Sequence, residues 1–325
     1  MSTFKEIRGT LIKSVSSDPA NPELGEIWYN NTIGSLKGYT FTADAWASGG
    51  NLNTARRAMG SVGTQTAAIG FGGNPPPNGS VDSEEYNGTS WTEGNNLGTG
   101  RHTLAGCGTQ TAGLGFGGEA TGSNTGATEE YDGTSWSEQN DLSTVRTALG
   151  GAGTQTAGLA FGGAPNLSAT EEYDGTSWTA GGALGTARDA VAVGGAGTQT
   201  AGLAFGGRIN PPFTVVGATE EYSGTAWTAG GTMGTARYNF GGGGTQTAAI
   251  GFGGYVPGNT GATELYDGST WTTSPASLAT ARRQIVGCGT QASALAFGGY
   301  GPVDSNATEE FTGAFNATQT LTTST

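Results

Sequence analysis

The chain has 325 residues, a formal net charge of −13 and 62 glycines. The acidic balance argues against nucleic acid as a partner, and no apolar run approaches the roughly 20 residues that cross a bilayer, so we expect neither nucleic-acid binding nor membrane insertion. Aromatic residues make up 9% of the chain and charged residues only 12%, which is unlike a disordered chain, so the glycines should occupy fixed positions of a folded repeat.

Residues 1–35 are the first predicted element, an N-terminal arm followed by a hairpin. Apolar and basic residues are interleaved between residues 4 and 15, which predicts an amphipathic strand or arm that needs a partner. A linker follows at residues 17–22, and residues 25–39 predict the hairpin. The candidate anchoring residues of the arm are Phe4, Lys5, Ile7, Arg8, Leu11 and Lys13.

The hairpin carries a short motif, Gly25-Glu-Ile-Trp-Tyr-Asn30, followed by Leu36 and Lys37. This motif resembles the Gly-x-x-Trp-Tyr-Asn/Asp and Leu-Lys segments of bacteriophage fibre and appendage proteins. The resemblance implies that the protein is located in a virion. It also implies that the arm contacts other virion proteins.

Beyond residue 38 the sequence is dominated by a repeat of 44 to 47 residues. Each unit contains Gly-Thr-Gln, Phe-Gly-Gly, an acidic residue next to an aromatic one, a Trp and an Arg. The Gly-Thr-Gln tripeptides begin at Gly63, Gly108, Gly153, Gly197, Gly244 and Gly289. The repeat arginines are Arg56, Arg101, Arg146, Arg188, Arg237 and Arg282. Repeats of this length are typical of β-propellers.

Each unit predicts four short strands. Large and tiny side chains alternate over residues 157–163, so Leu159 and Phe161 should point to one face and Gly158 and Ala160 to the other. A sheet with one bulky and one bare face can pack closely onto its neighbour. Turns are predicted at Gly-Thr-Gln-Thr, between the first two strands, and at Asp-Gly-Thr-Ser, before the Trp.

The units share the order Arg, Gly-Gly, Tyr-Asp and Trp, as in Arg146, Gly162-Gly163, Tyr173-Asp174 and Trp178. This order resembles the kelch repeat and recurs six times in phase. The resemblance implies an all-β fold, a kelch-type β-propeller, and the six Gly-Thr-Gln and Phe-Gly-Gly hairpins predict six blades over residues 36–325, behind the short arm. The segment around Trp46 has no preceding hairpin of its own, so a strand near residues 43–49 should complete the last blade and remove its exposed edge.

Candidate catalytic groups recur in almost every unit, which favours a structural role. Pairs of glutamates such as Glu129-Glu130 should pair with the repeat arginines, whereas a catalytic pair would occur once. His102 is the only histidine, too few for a histidine metal cluster, and we expect no catalytic residue, metal or cofactor. Cys107 and Cys288 occupy the same repeat position two blades apart and should be free, buried thiols, because packed sheets lie about 10 Å apart.

The stretch between Gly-Gly and the glutamates varies freely in length and content, and loops on a rigid scaffold are where binding diversifies. Arg208, Phe213, Tyr255 and Tyr300 lie in these loops, and they are the candidate ligand-binding residues because Arg and aromatic side chains suit sugar or protein surfaces. The alternative is that these are solvated loops without a ligand. The arginines beyond residue 38 that lie outside the repeat position are Arg57, Arg208 and Arg283.

These patterns favour a non-enzymatic virion protein, a tail or capsid appendage whose propeller presents loops to a host glycan or surface protein. Two alternatives stay open. One is a cellular kelch protein-interaction module, and the other is a glycan-degrading propeller enzyme. Self-association into a homo-oligomer is compatible with the sequence.

Overall fold

A computed structural model of the chain describes residues 12–74, 79–190 and 196–321. The described residues form strands and turns without an α-helix, so the expected all-β class is confirmed. The chain divides into two compact units. The first combines the residues up to Asp44 with those from Gly313 onward, and the second spans Ala45–Thr312.

The first unit contains one four-stranded sheet with the strand order β1-β2-β3-β34. Its strands are β1 (Lys13–Val15), β2 (Ile27–Asn30), β3 (Ser35–Thr42) and β34 (Phe315–Thr320). β2 and β3 form the antiparallel hairpin predicted at residues 25–39, and β1 joins β2 in parallel. β34 pairs with β3, a long-range pairing that the sequence did not predict. The boundary expected between residues 35 and 36 falls inside β3.

Asp18 fixes the linker of this unit to its sheet. The Trp28 indole and the Asn30 amide donate hydrogen bonds to the Asp18 carboxylate at 2.9 and 2.8 Å. These two bonds lower the pKa of Asp18, and Trp28 is fully buried. The Trp and Asn of the hairpin motif therefore have a structural role within this unit.

The second unit contains, in the described ranges, six four-stranded antiparallel sheets. Sheet 1 consists of β5 (Gly60–Thr64), β6 (Ala67–Phe71), β7 (Ser83–Tyr86) and β8 (Trp91–Glu93). Sheet 2 consists of β9 (Ala105–Thr109), β10 (Ala112–Phe116), β13 (Thr128–Tyr131) and β14 (Trp136–Glu138). Sheet 3 consists of β15 (Gly150–Thr154), β16 (Ala157–Phe161), β17 (Thr170–Tyr173) and β18 (Trp178–Ala180).

The other three sheets follow the same order, but the last takes its outer strand from the start of the unit. Sheet 4 consists of β19 (Ala196–Thr198), β20 (Ala201–Phe205), β23 (Thr219–Tyr222) and β24 (Trp227–Ala229). Sheet 5 consists of β25 (Gly241–Thr245), β26 (Ala248–Phe252), β29 (Ala262–Tyr266) and β30 (Trp271–Ser277). Sheet 6 consists of β31 (Val286–Thr290), β32 (Ser293–Phe297), β33 (Thr308–Thr312) and β4 (Ala45–Ser48).

Three of the variable loops after Gly-Gly are themselves small hairpins, which the sequence did not predict. They consist of β11 (Glu119–Ala120) with β12 (Ser123–Asn124), β21 (Arg208–Ile209) with β22 (Thr214–Val215), and β27 (Tyr255–Val256) with β28 (Gly258–Asn259). Their paired backbones limit the motion of the side chains that they carry.

Large side chains of one sheet pack onto small residues of the next, as the alternation predicted. Leu159 and Phe161 are buried, and a Cβ on Gly202 would lie only 2.6 Å from Leu159 Cδ2. On the other face of the same strand, a Cβ on Gly158 would lie 2.9 Å from Leu114 Cδ2. Side-chain carbons do not approach so closely, so these positions require glycine for the sheets to pack at this distance.

The glutamine of each Gly-Thr-Gln turn joins two neighbouring sheets. Gln155 Nε2 in sheet 3 donates hydrogen bonds to the carbonyls of Gly113 and Tyr131 in sheet 2, at 3.2 and 2.8 Å. Gln65 in sheet 1 makes the corresponding bonds to sheet 6. The same two bonds are made by Gln110, Gln199, Gln246 and Gln291. One side chain thus fixes two strands of the preceding sheet.

The repeat arginine pairs with the first glutamate of its own sheet, as predicted. Arg146 Nη2 lies 2.7 Å from Glu171 Oε1, and the Arg146 side chain is fully buried. Desolvation lowers the pKa of Arg146, while the charge of Glu171 opposes that shift. The equivalent pairs are Arg56–Glu84, Arg101–Glu129, Arg188–Glu220, Arg237–Glu264 and Arg282–Glu309.

The second glutamate of each pair faces a different sheet, because successive residues of a strand point to opposite faces. Glu172 Oε1 in sheet 3 accepts a hydrogen bond from the Tyr222 hydroxyl in sheet 4 at 2.5 Å. The equivalent bonds run from Tyr86 to Glu310, Tyr131 to Glu85, Tyr173 to Glu130 and Tyr266 to Glu221. Each glutamate pair therefore serves one ion pair within a sheet and one hydrogen bond between sheets.

The second residue after each repeat arginine also joins neighbouring sheets. Ala148 N–H donates to the Thr103 carbonyl at 2.9 Å, Thr103 N–H to the Ala58 carbonyl at 2.6 Å, and Ala58 N–H to the Gln284 carbonyl of sheet 6 at 3.0 Å. The remaining bonds run from Ala190 to Ala148, from Asn239 to Ala190 and from Gln284 to Asn239. All six residues have positive φ, which is uncommon outside glycine and here recurs in every repeat.

The first strands of all six sheets line a cavity of about 140 Å³ whose walls are mainly glycine. Cys107 and Cys288 lie in this lining. Both are free and buried, which confirms the prediction from their spacing. Burial raises the pKa of each thiol to about 12, so neither is a reactive thiolate near neutral pH.

Candidate functional site

The residue after each repeat arginine pairs with the residue after the Gly-Gly of the same repeat. In sheet 5, Tyr255 N–H donates to the Tyr238 carbonyl at 2.9 Å, and Tyr238 N–H donates to the Tyr255 carbonyl at 3.2 Å. The six pairs are Arg57–Asn74, His102–Glu119, Thr147–Ala164, Asp189–Arg208, Tyr238–Tyr255 and Arg283–Tyr300. The backbone pairing is shared whereas the side chains differ, so a fixed frame carries variable groups.

Arginine and aromatic side chains from sheets 4, 5, 6 and 1 contact one another in a continuous series, which we call the Arg–Tyr arc. Its members are Arg208, Phe213, Tyr238, Tyr255, Arg283, Tyr300 and Arg57. The Arg208 guanidinium carbon lies 5.3 Å from the Tyr238 ring centroid and 6.0 Å from that of Phe213. The Tyr238 ring lies 5.7 Å from Phe213 and 5.4 Å from Tyr255, between centroids.

Arg283 is central to the second half of the arc. Its guanidinium carbon lies 5.1 Å from the Tyr255 ring centroid and 4.9 Å from that of Tyr300. The guanidinium carbon of Arg57 also lies 4.9 Å from the Tyr300 centroid. A cation–π contact contributes about 0.5–1 kcal/mol at an exposed site, so these groups hold one another in position before any ligand arrives.

The three arginines of the arc differ in their charge partners. Arg208 Nε lies 2.6 Å from Asp189 Oδ1, and Arg57 forms an ion pair with Asp304. Within residues 12–74, 79–190 and 196–321, the Arg283 guanidinium has neither a carboxylate partner nor a hydrogen-bond acceptor. The positive charge of the arc is therefore neutralised toward both ends and free at Arg283.

A cavity of about 210 Å³ opens beside Arg283, and Arg57, Gln284 and Tyr300 also line it. Arg57, Arg283 and Tyr300 are all half-buried. Concave surfaces with a few convergent polar groups are typical of ligand sites. The cavity and the arc together form the candidate binding site.

All four residues that the sequence selected as ligand-binding candidates lie in the arc: Arg208, Phe213, Tyr255 and Tyr300. Phe213 is the most exposed of them, at 56%. Of the anchoring candidates, Lys13 begins β1 and is exposed. The other five, Phe4, Lys5, Ile7, Arg8 and Leu11, lie outside the described residues.

Sequence reasoning missed Arg57, Tyr238 and Arg283 as site residues. A signal was present, because Arg57, Arg208 and Arg283 are the arginines beyond residue 38 that depart from the repeat position. All three belong to the arc. Departure from the repeat was thus a better guide to the site than loop length alone.

His102 occupies the position of Arg283 in sheet 2 but has different surroundings. Its side chain is 17% exposed, and its Nε2 atom lies 4.0 Å from Glu119 Oε1. Desolvation lowers the pKa of His102, although the Glu119 charge acts in the opposite direction. The His102 side chain is therefore largely buried. No group of three or more His, Cys, Asp or Glu side chains suited to a metal occurs in the described ranges.

The comparisons with known proteins add no relative. No protein-family model matches the chain, and no curated protein matches it. In the part of the chain that the structure describes, no helix is long and apolar enough to cross a membrane.

Proposed function

We propose that residues 45–312 form a six-bladed β-propeller of the kelch type, with each of the six sheets as one blade. Three observations support closure of the propeller. β4 completes sheet 6, Gln65 of sheet 1 bonds to sheet 6, and Ala58 donates to Gln284. The kelch-like order of motifs in every repeat supports the assignment to this type.

On this fold, we propose a non-enzymatic virion protein, a tail or capsid appendage that binds a host-surface glycan through the Arg–Tyr arc. The observation that carries the binding function is the arc itself. Residues that depart from an otherwise regular repeat, on four successive sheets, contact one another on one patch. Packing between the sheets accounts for the residues that recur in every repeat, but it does not account for the residues of this patch.

A glycan fits the chemistry of the arc. Sugars combine hydroxyl groups, which hydrogen-bond, with C–H faces, which pack on aromatic rings. The arc offers tyrosine hydroxyls and guanidinium N–H donors beside aromatic surface. All of its residues except Phe213 lie on paired backbone, and pre-ordered side chains reduce the entropy cost of binding.

The glutamate pairs support a binding function over glycan hydrolysis. A hydrolase needs two carboxyl groups free to act on one glycosidic bond. Here the first glutamate of a pair, such as Glu171, is held by a buried arginine, and the second, such as Glu172, accepts a tyrosine hydroxyl. Both carboxyl groups are thus engaged in holding the fold together.

The virion location rests on the resemblance of residues 25–37 to segments of phage fibre and appendage proteins. The first unit also exposes apolar side chains that a partner could cover. These are Leu24, Ile33, Phe41 and Phe315, with exposures of 45% to 60%. A deletion of residues 1–11, which leaves β1 intact, should abolish incorporation into phage particles as measured by mass spectrometry of purified virions. Unchanged incorporation would contradict the anchoring role of the arm.

The glycan-binding proposal is tested on a glycan array with the purified full-length chain. We expect binding to a restricted set of glycans. The triple variant Phe213→Ala, Tyr255→Ala, Tyr300→Ala should lose it by roughly tenfold or more. The matched control is His102→Ala with Glu119→Ala, the backbone pair of sheet 2 that corresponds to Arg283–Tyr300 in sheet 6, and it should bind like the wild type. Equal binding by the triple variant, or no binding by the wild type, would overturn the proposal.

A further inference from the structure

We propose that the arc recognises an acidic sugar, and that Arg283 binds the carboxylate of that sugar in the adjoining cavity. This inference rests on the glycan-binding function proposed above and specifies the class of glycan. It begins from the difference between Arg283 and the other two arginines of the arc.

Arg283 is the arginine whose charge is available to a ligand. Arg208 and Arg57 already have carboxylate partners in Asp189 and Asp304. Among the described residues, Arg283 has none. A half-buried guanidinium without a partner favours an incoming anion, because a charge-assisted hydrogen bond is stronger than a neutral one.

The surroundings of Arg283 also fix its orientation. Contacts with the Tyr255 and Tyr300 rings hold the guanidinium. The N–H edge of a guanidinium matches a carboxylate with two parallel hydrogen bonds, and among the described residues the N–H groups of the Arg283 guanidinium have no acceptor. The cavity of about 210 Å³ begins at this group, so a carboxylate bonded to Arg283 would place its sugar ring beside Tyr300.

Because the chain as a whole is negatively charged, binding of an acidic glycan depends on the local arrangement around Arg283. The chain carries a net charge of −13, so long-range attraction does not draw anions to it. An acidic glycan must therefore be held by short-range contacts at Arg283. A neutral glycan would leave the guanidinium without its partner, and an unpaired half-buried charge weakens binding.

The test compares two versions of one glycan array, the native array and one whose carboxylates have been converted to amides. We expect the wild-type chain to bind carboxylate-bearing glycans and to lose that binding on the amidated array. Binding to neutral glycans, to sulfated glycans or equally to both arrays would overturn this inference while leaving glycan binding intact. No binding to either array would overturn the glycan-binding function as well, so the two failures are distinguishable.

A second measurement assigns the carboxylate to Arg283. Calorimetric titration with 3′-sialyllactose and with trigalacturonate should give a Kd for at least one of them. Arg283→Gln should raise that Kd roughly tenfold or more, the loss expected for a hydrogen bond to a charged group. Arg283→Lys keeps the charge but lacks the paired N–H groups of the guanidinium. Its Kd should therefore lie between the Kd of the wild type and that of Arg283→Gln. His102→Gln, at the equivalent position of sheet 2, should leave Kd unchanged.

A Kd unchanged in Arg283→Gln, or a wild-type chain that binds neither soluble sugar, would contradict the role of Arg283. Thermal unfolding of each variant shows whether it is folded. The comparison of the two arrays uses the wild-type chain alone, so it stays decisive if a variant fails to fold.

Discussion

The contacts between sheets repeat almost unchanged around the second unit, whereas the residue after the repeat arginine varies among five residue types over the six sheets. At the interfaces, the same Gln, Tyr and Glu side chains make the same bonds. On the row of backbone pairs, Arg57, His102 and Tyr238 occupy one repeat position. Regularity therefore marks the residues that hold the fold together, and irregularity marks the candidate site.

This contrast predicts that substitutions in the two regions have separable effects. A change at a repeated position should lower stability and leave binding intact in the molecules that fold. A change in the Arg–Tyr arc should do the reverse. The predictions below run from the largest expected effect to the smallest.

Arg146→Met should cause the largest loss of stability, about 3–5 kcal/mol, because removal of one partner leaves a buried charge uncompensated. Glu171 would keep only its backbone partners, the Ser143 and Thr144 N–H groups at 2.7 and 3.3 Å. Urea unfolding followed by circular dichroism measures the effect. The matched control is Arg57→Met, an arginine in a partly exposed ion pair, which should cost about 1 kcal/mol or less. Similar losses of stability in both variants would contradict the distinction between the repeated positions and the Arg–Tyr arc.

High pH should weaken the interfaces between sheets together. Burial and the adjacent glutamates raise the pKa of Tyr86, Tyr222 and Tyr266 to about 12, and burial also raises the pKa of Tyr131 and Tyr173. An unfolded tyrosine ionises near pH 10, so above that pH the folded state binds more protons. The tyrosines therefore leave the free energy of unfolding unchanged below about pH 10 and lower it as the pH rises toward about 12, whereas the buried thiols of Cys107 and Cys288 already lower it from about pH 8.5.

Urea unfolding at several pH values from about 8 to 11 measures this decline. Tyr222→Phe should reduce its slope because one raised pKa is removed. A free energy of unfolding that stays constant above about pH 10 would show that these tyrosines are not coupled to folding.

The interface between sheets 5 and 6 is an exception that tests the pairing rule. Leu265 stands where the other pairs have their second glutamate, and Phe311 stands where the other sheets have tyrosine. The two side chains pack in one apolar cluster. Both members of the hydrogen bond are replaced together, which avoids the cost of leaving one buried polar group unpaired.

Leu265→Glu alone should therefore destabilise the chain by about 1–3 kcal/mol, because its carboxylate faces a phenyl ring. Addition of Phe311→Tyr should recover part of that loss, with a coupling of roughly 0.5–3 kcal/mol in a double-mutant cycle. Unfolding free energies of the two single variants and the double variant give this coupling. Purely additive effects would show that the hydroxyl and the carboxylate do not meet at this interface.

Much of the fold could be predicted from the sequence, because the repeated residues indicate the strands, turns and ion pairs within each sheet. Alternation predicted the bulky and bare faces of residues 157–163, and recurrence of the glutamates predicted their pairing with arginine. The sequence reasoning treated each glutamate pair as one unit, although adjacent strand residues point to opposite faces. The joint change at Leu265 and Phe311 was the signal that the second glutamate has a partner in the next sheet.

The pairing of β34 with β3 could not be predicted from the sequence, although the strand near residues 43–49 was correctly predicted to complete the last sheet. β34 joins β3 through pairs such as Phe41 with Asn316, and nothing in either segment specifies the other. The candidate site shows the same limit. Tyr238 and Tyr255 each stand at a position that varies among the repeats, but their contact depends on the backbone pair that joins them.

The smallest effect is expected at Trp136, where one interface lacks a bond that the others have. In sheet 3, Trp178 Nε1 donates to Thr128 Oγ1 of sheet 2 at 3.1 Å. Trp46, Trp91, Trp227 and Trp271 make equivalent bonds to threonines. The buried Trp136 Nε1 has no partner, because Ser83 replaces threonine in sheet 1 and donates its hydroxyl to the Asn95 carbonyl at 2.6 Å.

Ser83→Thr should restore this bond, because the threonine methyl fills the place beside a glycine that the serine hydroxyl now occupies. A Cβ on Gly94 would lie 2.9 Å from Ser83 Oγ, whereas a Cβ on the equivalent Gly181 would lie 3.3 Å from the methyl carbon of Thr170. With its methyl there, the threonine hydroxyl faces Trp136. We expect a gain of about 0.5–1.5 kcal/mol, the net contribution of one hydrogen bond.

The opposite change, Thr170→Ser in sheet 3, is the matched control and should cost a similar amount, because serine is free to turn away from Trp227. Chemical unfolding of both variants at neutral pH provides the measurement. If Ser83→Thr leaves the free energy of unfolding unchanged while Thr170→Ser lowers it, the missing hydrogen bond at Trp136 does not limit the stability of the chain. A gain from the first and a loss from the second would show that even this irregularity belongs to the interfaces and not to the site.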